Sequence, residues 1–319
     1  MLKSLTINKR KTTYYEFKPN SESIPHLASH TSYLLMLHGW GGSKDSFASL
    51  GPALAEKLQT TVIIPDLPGF GDSDPPPAGG WTTVEYAEWL EHFLNKVKEK
   101  REKREKKVAP LIKGEATDTP AEQEAGGLIN KSRNSKIPDQ VRDDSILLYG
   151  HSFGCRVIIR FLSAHPNWNT PVILTGAAGI KLPLSAKQRL TKSAAKVLKP
   201  VKKILPNRVQ KLILGKLLGA RDWAEVAPAL KNTLRQVLEE EDLRKYLKNI
   251  KAKTLLLWGK NDTYTPLASA RIFERNLPET KLVVFDSGKH GIHYTHETEI
   301  CGEILKLMKN EKRKIKNGS

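Results

Sequence analysis

One serine, one aspartate and one histidine in this chain have the types and the order needed for nucleophilic catalysis. Ser152 lies in the pentapeptide G-H-S-F-G at 150–154, Asp262 follows an apolar run, and His290 lies in a later loop. A serine hydroxyl is a weak nucleophile until a nearby base takes its proton, and that base needs an acid to fix its tautomer. Together the three residues predict acyl transfer through a covalent intermediate on Ser152.

The sequence around Ser152 predicts that this serine stands on a sharp turn between a strand and a helix. The apolar run at 146–149 has the length of a buried strand, and residues 157–162 can continue as a buried helix. Strand, G-x-S-x-G turn and helix form the context of a nucleophile elbow, whose glycines let strand and helix approach closely. The helix N-terminus beside the serine also favours a developing oxyanion.

The acid and the base each have rivals nearby in the sequence. His293 and His296 follow His290, and Asp286 is a second candidate acid. We favour Asp262 because Asp286 can serve as a turn or capping residue, and His290 because of its position in a loop at the end of the sheet that also carries Ser152. The order nucleophile, acid, histidine is that of one known class of serine hydrolases.

The predicted chemistry also needs two backbone N–H groups that bind the oxyanion. One is expected from Phe153, the residue after the nucleophile. The second is expected from the glycine-rich stretch 39–42, where the Trp40 N–H is the candidate donor. Loss of one such donor typically costs about 3 kcal/mol of transition-state stabilisation. His38, which precedes this stretch, is expected to have a structural role.

The elements that must position these residues alternate between strand and helix, which indicates a parallel sheet of the α/β class. Nearly all-apolar runs are typical of strands covered on both faces. The predicted strands are 32–37, 61–64, 145–149, 171–179 with an exit of small residues, 254–258 and 281–285. An N-terminal hairpin is predicted at 3–8 and 12–18, and helices are predicted at 46–58, 82–97 and 297–309.

Two segments interrupt the alternation and define the predicted domain organisation. Residues 98–143 form a charged insertion, whose start up to Lys107 can extend the preceding helix and whose remainder is expected to be a disordered surface loop. Residues 181–250 are predicted to form a helical cap above the carboxyl ends of the strands. The hydrolase-like core would then comprise residues 1–180 and 251–319.

The positive charge of the chain is concentrated in the predicted cap. The net charge is +18, and the stretch from Lys181 to Gly219 contains eleven Lys or Arg and no Asp or Glu. A basic amphipathic segment could contact an anionic membrane or attract acidic substrates. We favour a simpler interpretation, a cap whose apolar face covers the site of a generally basic protein. No nucleic-acid-binding motif accompanies the charge, so no specific nucleic-acid partner is expected.

Composition limits the remaining classes. A chain of 319 residues can bury a sizeable core, and its two cysteines, Cys155 and Cys301, do not make a disulfide framework. No apolar run has the length of a membrane span, and the N-terminal residues lack the apolar core of a signal peptide. We therefore expect a cytoplasmic protein, with neither a metal ion nor a cofactor.

Five stretches resemble the α/β-hydrolase fold superfamily, and the resemblance covers residues 33–97, 145–179 and 254–305, essentially the whole predicted sheet. The stretches are residues 38–42, 66–73, 150–154, 258–262 and 288–293. The resemblance implies Ser152 as nucleophile, Asp262 as acid and His290 as base. In that family a second histidine commonly follows three residues after the base, and His293 matches it.

The resemblance also bears on the branch within the superfamily. Serine at the elbow argues against the dehalogenase and epoxide-hydrolase branches, which need an aspartate there. Residues 220–223 and 239–243 resemble part of uncharacterised bacterial α/β hydrolases with a small helical cap. The implied fold is a mostly parallel, doubly wound sheet with an N-terminal antiparallel hairpin and an inserted helical cap.

We therefore expect a carboxylesterase-like serine hydrolase that acts on a small-molecule ester. The alternatives are C–C bond or amide hydrolysis by the same triad, a lipase that acts at a membrane surface, and a binding module whose site is catalytically silent. The sequence leaves open the acyl chain length, the leaving group, the oligomeric state and the motion of the cap.

Overall fold

A computed structural model describes residues 1–20, 33–113, 146–183, 228–240 and 242–316 of the 319-residue chain. The strands are β1 (Leu2–Ile7), β2 (Arg10–Phe17), β3 (Tyr33–Leu37), β4 (Thr61–Pro65), β5 (Ile146–His151), β6 (Val172–Thr175), β7 (Thr254–Gly259) and β8 (Thr280–Phe285). The described helices are α1 (Leu50–Leu58), α2 (Thr83–Lys113), α3 (Phe153–Ala164), α4 (Pro228–Glu239), α5 (Arg244–Leu247), α6 (Leu267–Asn276), α7 (Ile292–Thr295) and α8 (Glu297–Lys316).

The strands form one eight-stranded sheet in the order β1-β2-β4-β3-β5-β6-β7-β8. β1 pairs antiparallel with β2, and β2 pairs antiparallel with β4. All pairs from β4 to β8 are parallel, so the carboxyl ends of these six strands lie along one edge of the sheet. The predicted fold class, a mostly parallel sheet with an N-terminal antiparallel hairpin, is confirmed.

Helices cover both faces of the sheet, which explains why the central strands are apolar throughout. In β5, Ile146 and Leu148 join a core with α2 and α3, whereas Leu147 and Tyr149 join a second core with α1 and α8. Side chains alternate between the two faces of a strand, so a strand covered on both faces must be apolar at every position.

Two helices differ from their predicted bounds. The helix predicted at 46–58 is divided into a 3₁₀ turn, Lys44–Phe47, and α1, because the Ser43 and Ser46 side chains cap the short turn separately. The helix predicted at 82–97 continues as α2 as far as Lys113. The first part of the charged segment 98–143 is therefore helical, and the loop predicted after it lies outside the described residues.

The described part of the predicted cap is helical and lies against the core. It comprises α4 and α5, while residues 184–227, with most of the basic charge, lie outside the described residues. The Thr233 hydroxyl of α4 accepts a hydrogen bond of 2.9 Å from the Trp81 N–H, and the Asn232 side chain donates to the Ala78 carbonyl at 2.8 Å. None of the described helices combines the length and the apolar character needed to cross a bilayer.

Candidate active site

Ser152 lies between β5 and α3 in a backbone conformation that few residues adopt. Its φ is 50° and its ψ is −106°, and its N–H donates to the Thr175 carbonyl of β6 at 3.0 Å. The turn needs glycine two residues after the serine, because a Cβ at Gly154 would lie 2.3 Å from the Leu37 carbonyl oxygen. This positive φ between strand and helix is the geometry of a nucleophile elbow.

Asp262 and His290 form a hydrogen-bonded pair at the ends of β7 and β8. The His290 Nδ1 lies 2.7 Å from the Asp262 Oδ2, and it donates because a carboxylate can only accept. Asp262 is buried and also accepts hydrogen bonds of 2.9 Å from the backbone N–H groups of Tyr264 and Thr265. The imidazole is therefore held with its Nε2 free to act as a base.

The ionisation of Asp262 follows from these contacts. Burial by itself raises the pKa of this carboxyl, but hydrogen bonds from His290 and Thr265 outweigh burial and hold the pKa below its ordinary value. The Thr265 hydroxyl contributes one of these bonds, at 2.8 Å. Asp262 is consequently a carboxylate at neutral pH, as the acid of a triad must be.

The strand ends bring the serine and the His–Asp pair to the same place. A Cβ at Gly176, which follows β6, would lie 3.1 Å from the His290 Nδ1 and 3.3 Å from the Asp262 Oδ2. The Ser152 N–H is bonded to Thr175, the residue just before Gly176. The three residues that the sequence predicts as a triad therefore surround the end of β6.

The rival acid and histidines lie in other environments. Asp286 is 87% exposed and forms an ion pair of 2.9 Å with Lys260. The His296 Nε2 lies 3.0 Å from the Ser287 hydroxyl oxygen, and the described hydrogen bonds of His296 involve neither Asp262 nor Asp286. His293 is buried, and neither ring nitrogen has a hydrogen-bond partner among the described residues. Of these candidates, His290 with Asp262 alone has the contacts of a base and its orienting acid.

The two residues expected to bind the oxyanion are neighbours. The Trp40 and Phe153 rings pack edge to face with centroids 5.2 Å apart. A Cβ at Gly39 would lie 3.2 Å from the Ser152 Cβ, so the backbone that carries Trp40 passes directly beside the serine. Phe70 packs on Trp40 and Tyr86 packs on Phe153, with centroid distances of 5.0 and 5.2 Å. Packed aromatic side chains thus support the peptides of both candidate donors.

His38 fixes the loop that leads to Trp40. Its Nδ1 donates to the Gly39 carbonyl at 2.8 Å, and its Nε2 accepts from the Leu67 N–H at 3.0 Å. Burial lowers the pKa of His38 to about 4, so the ring stays neutral and can accept. These contacts agree with the structural role expected for this histidine.

Comparisons with known proteins agree with this architecture. The model of a family described as "Alpha/beta hydrolase family" matches residues 34–303. The chain belongs to the alpha/beta hydrolase family.

Curated relatives of this alpha/beta hydrolase are themselves hydrolases. The chain is 26% identical over 314 residues to the 2-hydroxy-6-oxo-6-phenylhexa-2,4-dienoate hydrolase of Burkholderia cepacia, with 92% of this chain and 91% of the relative covered. It is 24% identical over 291 residues to the pimeloyl-[acyl-carrier protein] methyl ester esterase of Aeromonas hydrophila, covering 85% of this chain and 93% of the relative.

Solved structures share the fold of this hydrolase. The esterase EaEST of Exiguobacterium antarcticum matches with a TM-score of 0.58 and 19% identity over 94% of this chain and 96% of that chain. A bacterial membrane phospholipase A matches with a TM-score of 0.63 and 20% identity over 98% of this chain and 86% of that chain.

A buried ion cluster that was not predicted from the sequence centres on Lys44, just after the glycine-rich stretch 39–42. The Lys44 Nζ contacts the Asp66 Oδ2 at 3.0 Å and the Asp72 Oδ2 at 2.7 Å, and the Lys44 N–H donates to the Asp66 Oδ1 at 2.7 Å. Burial lowers the pKa of Lys44, but the hydrogen bonds to Asp72 and Asp66 outweigh it and raise the pKa. In the sequence, one lysine after a glycine-rich loop has the same appearance as a solvated lysine.

A group of aromatic rings around His290 was also missed. The His151 ring lies 4.7 Å from the His290 ring and 4.4 Å from the His293 ring, centroid to centroid. Burial, followed by the nearby His293, holds the pKa of His151 well below its ordinary value. His290 also contacts the ring of Tyr264. The sequence gives no sign of these contacts, because the rings lie far apart along the chain: His151 ends β5, Tyr264 follows β7, and His290 and His293 follow β8.

Arg156 connects the elbow helix to the described part of the cap. Its Nη2 donates to the Val237 carbonyl at 2.8 Å and lies 3.0 Å from the Glu240 Oε2. Glu240 also accepts a hydrogen bond from the N–H of Thr83, at the start of α2. The end of α4 is thereby attached to two core helices.

Among the described residues, no group of three or more His, Cys, Asp or Glu is arranged to hold a metal ion.

Proposed function

We propose that this hydrolase cleaves carboxylic esters of small molecules through an acyl-enzyme on Ser152. The observation that carries the proposal is the 2.7 Å bond between His290 and Asp262, next to a serine in an elbow conformation. A neutral imidazole oriented by a buried carboxylate is the base that a serine nucleophile requires.

The proposed reaction begins with attack of the Ser152 Oγ on the ester carbonyl carbon. The His290 Nε2 takes the hydroxyl proton, and the Asp262 carboxylate stabilises the imidazolium that forms. The N–H groups of Phe153 and Trp40 bind the oxyanion of the tetrahedral intermediate. As the intermediate collapses, the C–O bond breaks and His290 gives its proton to the departing alcohol. Water then attacks the acyl-enzyme with His290 as base, which releases the acid and restores the serine.

We propose the cellular compartment and the partners of the enzyme from its composition and its two unpaired cysteines. Cys155 and Cys301 are both buried and unpaired, which suits a reducing compartment, and we propose a cytoplasmic enzyme that needs no cofactor. We propose no specific nucleic-acid partner. Contact of the basic segment 181–219 with anionic membranes stays a prediction, and activity that rises on anionic vesicles and falls in high salt would support it.

Hydrolysis of a carbon–carbon bond beside a carbonyl is the second candidate. It is favoured by the relative from Burkholderia cepacia and by a second one from Comamonas testosteroni, whose name is a 2-hydroxy-6-oxononadienedioate/2-hydroxy-6-oxononatrienedioate hydrolase, at 24% identity over 92% of this chain. The same serine, base and oxyanion hole can act on a ketone. The two candidates differ in the substrate that is turned over.

The deciding experiment labels the wild type and Ser152→Ala with a fluorophosphonate probe and measures hydrolysis of short and long p-nitrophenyl esters. We expect labelling and ester turnover in the wild type, and loss of both in Ser152→Ala. The matched control is Ser163→Ala, near the carboxyl end of α3, the helix that begins directly after Ser152. This variant should retain both the labelling and the ester turnover.

Other outcomes would redirect the assignment. Labelling of Ser152 without ester turnover, but with turnover of a 2-hydroxy-6-oxo-dienoate, would support the carbon–carbon hydrolase. Absence of labelling in the folded wild type would contradict an activated Ser152 and would favour a binding module.

A further inference from the structure

We propose that Tyr264 is a positioning residue whose exposed ring packs against His290 and stabilises the imidazolium formed during the reaction. The inference rests on the proposed function, because it takes His290 as the base. Nothing in the motifs of the sequence points to Tyr264, which lies two residues after Asp262.

The ring of Tyr264 lies against His290 although it gains little from burial. The two ring centroids are 5.1 Å apart and the planes are inclined by 37°. The side chain of Tyr264 is nevertheless 74% exposed. Its position is set from the backbone, because the Tyr264 N–H donates to the Asp262 Oδ1 at 2.9 Å. One residue therefore contacts both members of the His–Asp pair.

The other groups around His290 differ in what they do to a positive charge on its ring. Asp262 accepts its Nδ1 proton, and the Thr265 hydroxyl lies 3.3 Å from the same nitrogen. His151 packs on the ring at 4.7 Å, with His293 behind it at 4.4 Å from His151. Both of these histidines are buried with lowered pKa values, so they are neutral at neutral pH. Neutral histidines carry no charge that opposes the imidazolium, so Asp262 favours it by charge and the Tyr264 ring adds the attraction of a phenol face.

The physical basis is the attraction between a cation and the face of an aromatic ring. A cation within about 6 Å of a ring centroid gains enough at an exposed site to change an equilibrium or a rate about two- to fivefold. His290 carries its charge only after it takes the serine proton, so the ring favours the transition state over the bound substrate. The effect should consequently appear in kcat and much less in KM.

The test compares Tyr264→Leu and Tyr264→Phe with the wild type in the full chain. Tyr294→Leu is the matched control: Tyr294 is 67% exposed and contacts the ring of His293, 4.1 Å away. We expect Tyr264→Leu to lower kcat for a p-nitrophenyl ester about two- to fivefold, with the larger part of the change in kcat. Tyr264→Phe keeps the ring face and should restore the rate, and Tyr294→Leu should change neither parameter.

The pH dependence gives a readout that a purely structural role would not produce. Without the ring, the imidazolium is less stable, so the acidic limb of the kcat/KM profile should move to lower pH in Tyr264→Leu, by about half a unit. The rate thus falls while the base becomes available at lower pH. An acidic limb that stays in place or moves to higher pH, or a Tyr264→Phe variant that behaves as Tyr264→Leu does, would overturn the proposal.

A measurement without substrate separates this inference from the proposed function. The His290 ring is titrated by NMR in the wild type and in Tyr264→Leu, with the signal assigned through His290→Gln. We expect the midpoint at lower pH in Tyr264→Leu. If ester turnover is absent but the midpoint moves in this way, the proposed function fails and the ring contact stands. If turnover depends on Ser152 but the midpoint is unchanged, the role of Tyr264 fails and the proposed function stands.

Discussion

Asp262 shows how neighbouring groups set the ionisation and the orientation of one side chain. It accepts hydrogen bonds from the His290 ring, the Thr265 hydroxyl and the backbone N–H groups of Tyr264 and Thr265. These bonds keep a buried carboxyl ionised and hold it in one orientation. Asp286 has the same side chain but lies exposed beside Lys260, where water competes for every contact.

We expect Asp262→Asn to lower kcat for a p-nitrophenyl ester about 10⁴-fold, because an amide that donates toward Nδ1 fixes the wrong tautomer of the base. The matched control is Asp286→Asn, whose kcat should remain within about twofold of the wild type. Circular dichroism of both variants checks that they are folded. Equal losses in the two variants would show that the acid is not Asp262.

At the scale of elements, the buried ion cluster connects the loop after β3 to the loop after β4. Lys44 belongs to the 3₁₀ turn that follows the Trp40 stretch, and Asp66 follows directly after β4. The close fit extends to the backbone, because Gly71 has a φ of 53° and a Cβ there would lie 2.3 Å from the Asp66 carboxylate. The cluster therefore fixes the loop that carries one candidate oxyanion donor.

We expect Lys44→Met to lower the free energy of unfolding by about 3–5 kcal/mol, because it leaves the Asp66 carboxylate buried without its cation. Asp72→Asn removes the other partner of the same lysine, but Asp72 is 62% exposed. That control should change the free energy of unfolding by less than about 1 kcal/mol. Urea denaturation followed by tryptophan fluorescence measures both, and similar values for the two variants would contradict the cluster's role.

Across the whole molecule, several histidines are buried and stay neutral at neutral pH. Burial lowers the pKa of His38 and of His293 from 6.5 to about 4. In the unfolded chain these rings titrate at their ordinary pKa, so the unfolded state binds more protons as the pH falls from 6.5 towards 4. Their contribution makes the folded state less stable across that window, while above it both states are neutral and no penalty applies.

We expect His293→Phe to be less sensitive to acid than the wild type, since it removes one buried ring that must be protonated on unfolding. The difference in free energy of unfolding between variant and wild type should be about 2 kcal/mol more favourable to the variant at about pH 4.5 than at neutral pH. Denaturant melts at the two pH values measure this, with the exposed His92→Gln as the control. An unchanged acid sensitivity in His293→Phe would contradict the buried, neutral state of this ring.

Features that depend on residues close together in the chain follow from the sequence alone. The apolar runs predict strands such as β5 and β7, since a strand covered on both faces has to be apolar throughout. Strand, glycine-flanked serine and helix are consecutive, so the elbow at Ser152 was predicted from one short segment. The parallel arrangement also follows, because helices between strands return the chain to the same edge of the sheet.

Contacts between side chains that are distant in the sequence depend on the tertiary structure. Lys44 and Asp66 are separated by another strand and helix, and the rings of His151, His290 and Tyr264 come from the ends of different strands. The strand order, with β4 between β2 and β3, likewise depends on how whole elements pack. The hydrophobic pattern of the sequence indicates which face of a helix or strand is apolar. A contact between two loops also depends on the register and twist of every strand between them.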